Sequence, residues 1–417
     1  MPRIRSALTI ASLMFGLAGC RKQPPVVFTQ WVVPNAESER PESAASAKLV
    51  AAGNTVDQQA KLSAKPDSKG RLSSPITTRT TFFPKQKSEA RRVIGNSRKD
   101  ALEAAKSMSY FPYVPTGLAS PPAYLSGLRL ICMSFVWDIE EAIANHDYPK
   151  AIIACGSATR LGFALMGGGA YEASLGSSII NQARQKMVPI MPSLSGLQLG
   201  QLASAIQKSS ANRPPMQISI ENERNNMLVC LQQAQDFFEN NKLDRLKEKL
   251  GSSSKDTIDF LQSLRDEPEK GKELFDWIGN DISARSEWYL KLVKNPRKAG
   301  IPPKKDPAKS KLMIYRYFGS SIENLVPMLQ STYCRTELFI LECYLKQKLK
   351  TQRPLPTSLK PFSRSAVIDP FTAEPFYYKA GASSYLLYSA GEDGIDNGGT
   401  TDSSFRYPDL MLEKAHR

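Results

Sequence analysis

PKAIIACGSATRLGFALMGGGAYEASLGSSIINQARQKM, residues 149–187, carries the reading of the fold class. Two runs of helical period, Pro149 to Leu165 and Ala170 to Met187, are divided by Gly167-Gly168-Gly169. Proline stands at the start of the first run, where its missing N–H is not needed. No Gly-Lys-Ser/Thr follows the glycines, so they read as a loop between helices rather than a phosphate cradle. A chain that repeats this arrangement packs helix pairs in sequence.

The period continues on both sides, over Pro122 to Asn145, Ser195 to Lys208, Ile218 to Leu250, Lys255 to Leu264, Lys272 to Val293 and Lys311 to Leu349. Ile143, Ile152, Ile153, Leu161 and Leu165, with Leu197, Leu199, Leu202, Ala205 and Ile206, supply the apolar faces that such a body buries. The prediction is a mainly α protein, a helical bundle or irregular α-solenoid. The Lys- and Pro-rich run from Lys294 to Lys311 reads as a solvated loop, since no helix passes through Pro302-Pro303.

From Arg21 to about Asp100 the chain is rich in Ser, Ala, Lys, Pro and Gln, with scattered apolar pairs such as Phe82-Phe83 and no sustained period. That composition predicts a disordered N-terminal tether, with the run Val26 to Val33 and its Trp31 solvated like the rest. Four segments result: 1–19, a signal; 20–100, a flexible tether; 101–335, a helical body; and 336–410, a C-terminal β module on a helix.

At 417 residues, 41% apolar and 9% aromatic, the chain is long enough to bury a sizeable core. Its formal charge of +15 falls to +13 if Arg3 and Arg5 leave with a signal. Such an excess attracts anionic lipid or cell-wall polyanion by long-range Coulomb forces, or serves solubility alone. Nucleic acid is excluded as a partner if the chain is exported. Beyond Cys20 there are five cysteines, an odd number, all in apolar helix-like runs where a small buried hydrophobe is expected. Cys334 and Cys343, nine residues apart, face opposite sides of a helix and are not expected to pair locally.

The N-terminus has Arg3 and Arg5, an apolar run from Ala7, and then Leu17-Ala18-Gly19-Cys20. It resembles the bacterial lipoprotein signal and its lipobox. Small residues before the cut fit a narrow peptidase subsite, and the thiol of Cys20 carries the lipid. The apolar run is shorter than the roughly 20 residues that span a bilayer. The resemblance implies that Cys20 is the first mature residue, acylated and held in membrane lipid by two or three acyl chains, each methylene contributing about 0.8 kcal/mol.

The last segment changes character. Phe376 to Lys379 and Ser384 to Ser389 are aromatic and branched, and the turn at Ala380-Gly381-Ala382-Ser383 makes them an antiparallel hairpin. Asp369-Pro370 opens a turn. Asp393-Gly394-Ile395-Asp396-Asn397-Gly398-Gly399-Thr400-Thr401-Asp402 sets carboxylates among glycines, which suits calcium's need for six to eight oxygens and equally suits a solvated turn. Asp369-Pro370-Phe371, Pro375-Phe376-Tyr377-Tyr378, Tyr385 to Ser389 and Gly391-Glu392-Asp393-Gly394, after a helix from Thr336 to Leu349, resemble the C-terminal part of type II secretion major pseudopilins. That resemblance covers about Thr336 to Asp402. It implies a calcium site at Ser389, Asp393 and one or both of Asp396 and Asp402. The family's long apolar N-terminal helix is not present here.

Catalytic constellations are few. His146 and His416 are the two histidines, and His146 reads as an exposed or capping residue at a helix end. Ser252 and Lys255 match the start of a penicillin-binding motif without its Ser-Asp-Asn or Lys-Thr-Gly partners. The expectation is a lipid-anchored envelope protein, non-enzymatic, that binds an envelope protein or cell-wall polymer. The alternatives are an enzyme acting on such a polymer and an accessory part of a type II secretion-like system.

Overall fold

The computed structural model describes residues 29–30, 42–64, 76–79, 81–108, 118, 122–250, 255–304, 306, 321–362, 367–400 and 409–412. Twelve α-helices and one two-stranded antiparallel sheet occur among them. The helices are α1 (Glu42–Leu62), α2 (Pro84–Ile94), α3 (Ser97–Ser107), α4 (Ala123–Ala144), α5 (Tyr148–Met166), α6 (Ala170–Met187), α7 (Gly196–Ser210), α8 (Met216–Glu239), α9 (Leu243–Leu250), α10 (Lys255–Ser263), α11 (Pro268–Lys294) and α12 (Ser321–Lys350). The strands are β1 (Tyr377–Ala380) and β2 (Tyr385–Tyr388). The mainly α class with a small C-terminal hairpin is the fold expected from the sequence.

One helix joins every apolar cluster. The thirty residues of α12 run about 45 Å at 1.5 Å per residue. Ile322 and Val326 enter the core of α8–α11, beside Phe275 and Ile278. Leu325, Leu329 and Tyr333 meet Phe163 and Met166 of α5 and Ala173 and Ile180 of α6. Phe339, Ile340 and Cys343 join the large core of α1–α7. Cys334, Leu338, Leu341 and Leu345 support Leu359, Phe376 and Leu387 of the β module. A helix used on so many sides is apolar around most of its girth rather than along one stripe.

The tether reading does not hold for residues 42–62 and 84–100, which are helical and continue in α3 into the expected helical body. Leu49, Ala52, Val56 and Ala60 of α1 are buried in the α1–α7 core, as are Ala90 and Val93 of α2 and Ala101 and Ala104 of α3. Phe82 packs on Trp137 at 4.8 Å between ring centroids, whereas its neighbour Phe83 is exposed. Composition misleads here because half of the buried face of α1 is alanine and glycine (Ala45, Ala52, Gly53, Ala60), which bury little area each but let backbones meet. A Cβ on Gly127 of α4 would lie 1.9 Å from the Gly53 carbonyl of α1. Farther upstream, the Thr29 carbonyl accepts from Gln235 of α8 at 3.2 Å; Trp31 and Cys20 lie outside the described residues.

Two other local expectations change. The run Ile218 to Leu250 is two helices, because Asn241 takes φ +56° and Lys242 N–H closes on the Phe237 carbonyl at 2.7 Å, an αL stop. Ile153 and Leu197, expected on buried faces, are 69% and 71% exposed. Cys132, Cys155, Cys334 and Cys343 are buried cysteines and Cys230 is a partly buried one. Among the described residues no helix is long and apolar enough to cross a membrane.

Candidate functional site

The hairpin positions the acidic loop. Tyr377 pairs with Tyr388 and Ala380 with Tyr385, and the Gly381 N–H to Ser384 carbonyl bond of 2.7 Å closes the turn. The Tyr377 and Tyr388 rings stack at 5.0 Å. Ser389 then bridges to Leu410, drawing the chain beyond the loop back beside β2. Leu387 and Phe376 anchor the hairpin on α12, so the loop hangs from a rigid support.

Ser389 is fully buried, and its hydroxyl donates to Asp369 at 2.7 Å while accepting the Gly391 N–H at 3.0 Å. It is thus committed to the Asp369 turn, whose carboxylate also accepts the Phe371 N–H at 2.9 Å. Asp393 is exposed and accepts the Ile395 N–H at 3.0 Å. Asp396 accepts the Tyr388 O–H at 2.8 Å and the Gly398 N–H at 2.8 Å. Asp402 lies outside the described residues.

The residue that sequence reasoning missed is Asp409. It is buried, and its Oδ2 accepts N–H bonds from Asn397 at 3.1 Å and Gly399 at 2.8 Å. Its Oδ1 is buried, with no hydrogen-bond partner among the described residues. Burial raises the Asp409 pKa above the usual carboxylate range, opposed by those N–H bonds and reinforced by the nearby Asp396 carboxylate. Asp369 is raised too, by burial first and, among lesser causes, by the charge of Asp409. The loop therefore gathers Asp396 and Asp409, and Asp369 behind them, rather than the set built around Ser389. Among the described residues no three His, Cys, Asp or Glu side chains stand together as a metal-holding group. Asp409 carried no local signal: it is a lone acid near the end of the chain, brought in by the Ser389–Leu410 bridge.

No protein-family model, curated protein or solved structure matches this chain. The site is therefore read from its own geometry.

A second feature is an open groove of about 650 Å³ between α5, α7 and α12, with Ile153 and Leu197 among its lining residues and Tyr344 among those from α12. Lys208 is among its lining residues. His146, in contrast, follows α4 at φ +55°, exposed, with Nδ1 3.4 Å from the Tyr148 hydroxyl. That is the helix-end role expected of it. The Gly167–Gly169 run is the α5–α6 connection, held by Asn222 donating to the Gly167 carbonyl at 2.8 Å and by Glu223 accepting the Ala170 N–H at 2.8 Å.

Proposed function

We propose that this chain is an exported envelope protein, anchored through an acylated Cys20, which acts by binding an envelope protein or cell-wall polymer. The observation that carries the proposal is the sequence Leu17-Ala18-Gly19-Cys20 after a short basic and apolar leader. Binding is supported by the groove edged by Ile153 and Leu197, since isobutyl-sized side chains left that exposed beside one another's helices lose stabilisation unless something covers them. The net positive charge favours a polyanionic or acidic partner.

The β module is the part proposed to take calcium, through Asp396 and Asp409 with Asp393 and Asp402 as further carboxylates. The buried, unpartnered Asp409 Oδ1 supports that reading. Calcium would neutralise like charges that the loop holds together.

The test is Cys20→Ala in the full chain. The wild type should sediment with membranes through a high-salt wash and yield an acylated N-terminal peptide at Cys20, and the variant should be soluble. A variant that stays with the membranes, or a wild type with an intact acyl-free Met1, would overturn the proposal.

A further inference from the structure

Helices α6 and α12 share a polar seam. The hydroxyls of Ser177 and Thr332 lie 2.6 Å apart across it, and Asn181 Nδ2 donates to Ser177 at 3.3 Å. One turn along the same face of α6 stands Arg184, 6% exposed. Its Nη1 is wholly buried with no hydrogen-bond partner, and Asn181 Oδ1 is likewise buried and unpartnered. The charge nearest in effect to Arg184 is another cation, Arg335 of α12; the other groups acting on it are the thiols of Cys334 and Cys155. Arg335 is partly exposed and donates Nε to Ser331 of its own helix at 3.2 Å. Asp369, the acid that acts on Cys334, has its carboxylate engaged by the Phe371 N–H and the Ser389 O–H.

Burial, followed by the repulsion of Arg335, lowers the Arg184 pKa to about 10, which leaves it a cation at neutral pH. A buried cation needs a counter-charge and acceptors for its N–H groups. Among the described residues, the ionisable groups acting on this one are a second cation and two thiols.

We propose that Arg184, Arg335 and Asn181 form a site for inorganic phosphate between α6 and α12. The two guanidiniums supply charge and planar N–H donors suited to oxyanion oxygens. Asn181 Oδ1 selects among oxyanions, because as an acceptor it needs a proton from the ligand. Monohydrogen phosphate keeps a P–OH at neutral pH and sulfate has none. The competing account is a single water that accepts from Arg184 Nη1 and donates to Asn181 Oδ1.

The experiment uses the full chain in phosphate-free buffer, titrated with sodium phosphate and, at matched ionic strength, sodium sulfate, by calorimetry and thermal shift. Phosphate should bind with sub-millimolar affinity and raise Tm, and sulfate should bind about tenfold or more weakly. Arg184→Met should abolish the phosphate response. Arg335→Gln, at a partly exposed position, should weaken it about tenfold. Asn181→Ala should retain anion binding and lose the preference for phosphate over sulfate. No heat and no Tm change with phosphate would leave the water account standing and overturn the site. A response that is equal for both anions and unchanged in Arg335→Gln would overturn it as well.

Discussion

Arg184 and Arg285 are buried to nearly the same degree, at 6% and 5% exposure, on helices that both pack against α12. Around Arg285 the fold is complete: Nε and Nη2 reach Asp281 at 2.6 and 3.0 Å, and Nη1 reaches Glu323 at 3.1 Å. Around Arg184, in contrast, Nη1 is buried with no acceptor among the described residues. Where α11 meets α12 the chain neutralises its own buried charge, and where α6 meets α12 it does not. The difference separates an arginine that serves architecture from one arranged for a ligand.

The sharpest way to break this contrast is to remove each cation. Arg285→Met removes the cation bonded to the Asp281 and Glu323 carboxylates, and urea unfolding should show a loss of about 3–5 kcal/mol. Arg184→Met strands nothing, so in phosphate-free buffer its stability should equal or exceed that of the wild type. Equal losses for the two variants would mean that Arg184 has a counter-charge within the fold.

Asp409 is the anionic counterpart of Arg184, a buried charge with one oxygen unpartnered. Calcium binding there would stabilise the folded chain by about 2.7 kcal/mol at a hundredfold excess over Kd. Calorimetry should detect the binding, and both Asp409→Asn and Asp393→Ala should weaken it. A chain whose Tm is indifferent to calcium and to chelator would remove calcium from the proposed function.

The smallest effect is expected at Glu223. It is buried, accepts from Ala170 at 2.8 Å and Ser321 at 2.5 Å, and lies near Glu172, whose Oε2 is buried without a partner. Burial raises the Glu223 pKa, and the Glu172 carboxylate adds to the rise against those two hydrogen bonds. The protonated form therefore stabilises the fold below the ordinary carboxylate range, and that contribution is lost as pH rises through the raised value. Glu223→Gln should lift Tm at pH 8 by roughly 2 °C or more and leave it unchanged near pH 4. A variant with the same deficit at both pH values would show that its hydrogen-bond geometry, not its ionisation, matters.

Much of the acidic loop could be read in advance, and the reason is local. Asp393 and Asp396 each accept an N–H two residues ahead, a contact set by the chain's own turn, so glycine spacing announces it. Asp409 is different: its partners Asn397 and Gly399 are twelve and ten residues away, so no local turn announces the contact. Ser389 is legible as a strand end but not as a partner of Asp369, twenty residues earlier. The groove was hidden for the opposite reason, because Ile153 and Leu197 obey the helical period and look like core.

The amino-acid order by itself determined the helical class, the hairpin with its turn near Gly381, and the breaks at glycine and proline, since period and backbone preference act over a few residues. The tertiary structure decided which apolar faces are covered, that the alanine-rich α1 belongs to the core, and that Arg184 feels the charge of Arg335 while Arg285 bonds to Glu323. Those outcomes depend on which helices become neighbours across scores of residues, and burial and counter-charge are properties of neighbours rather than of the chain between them.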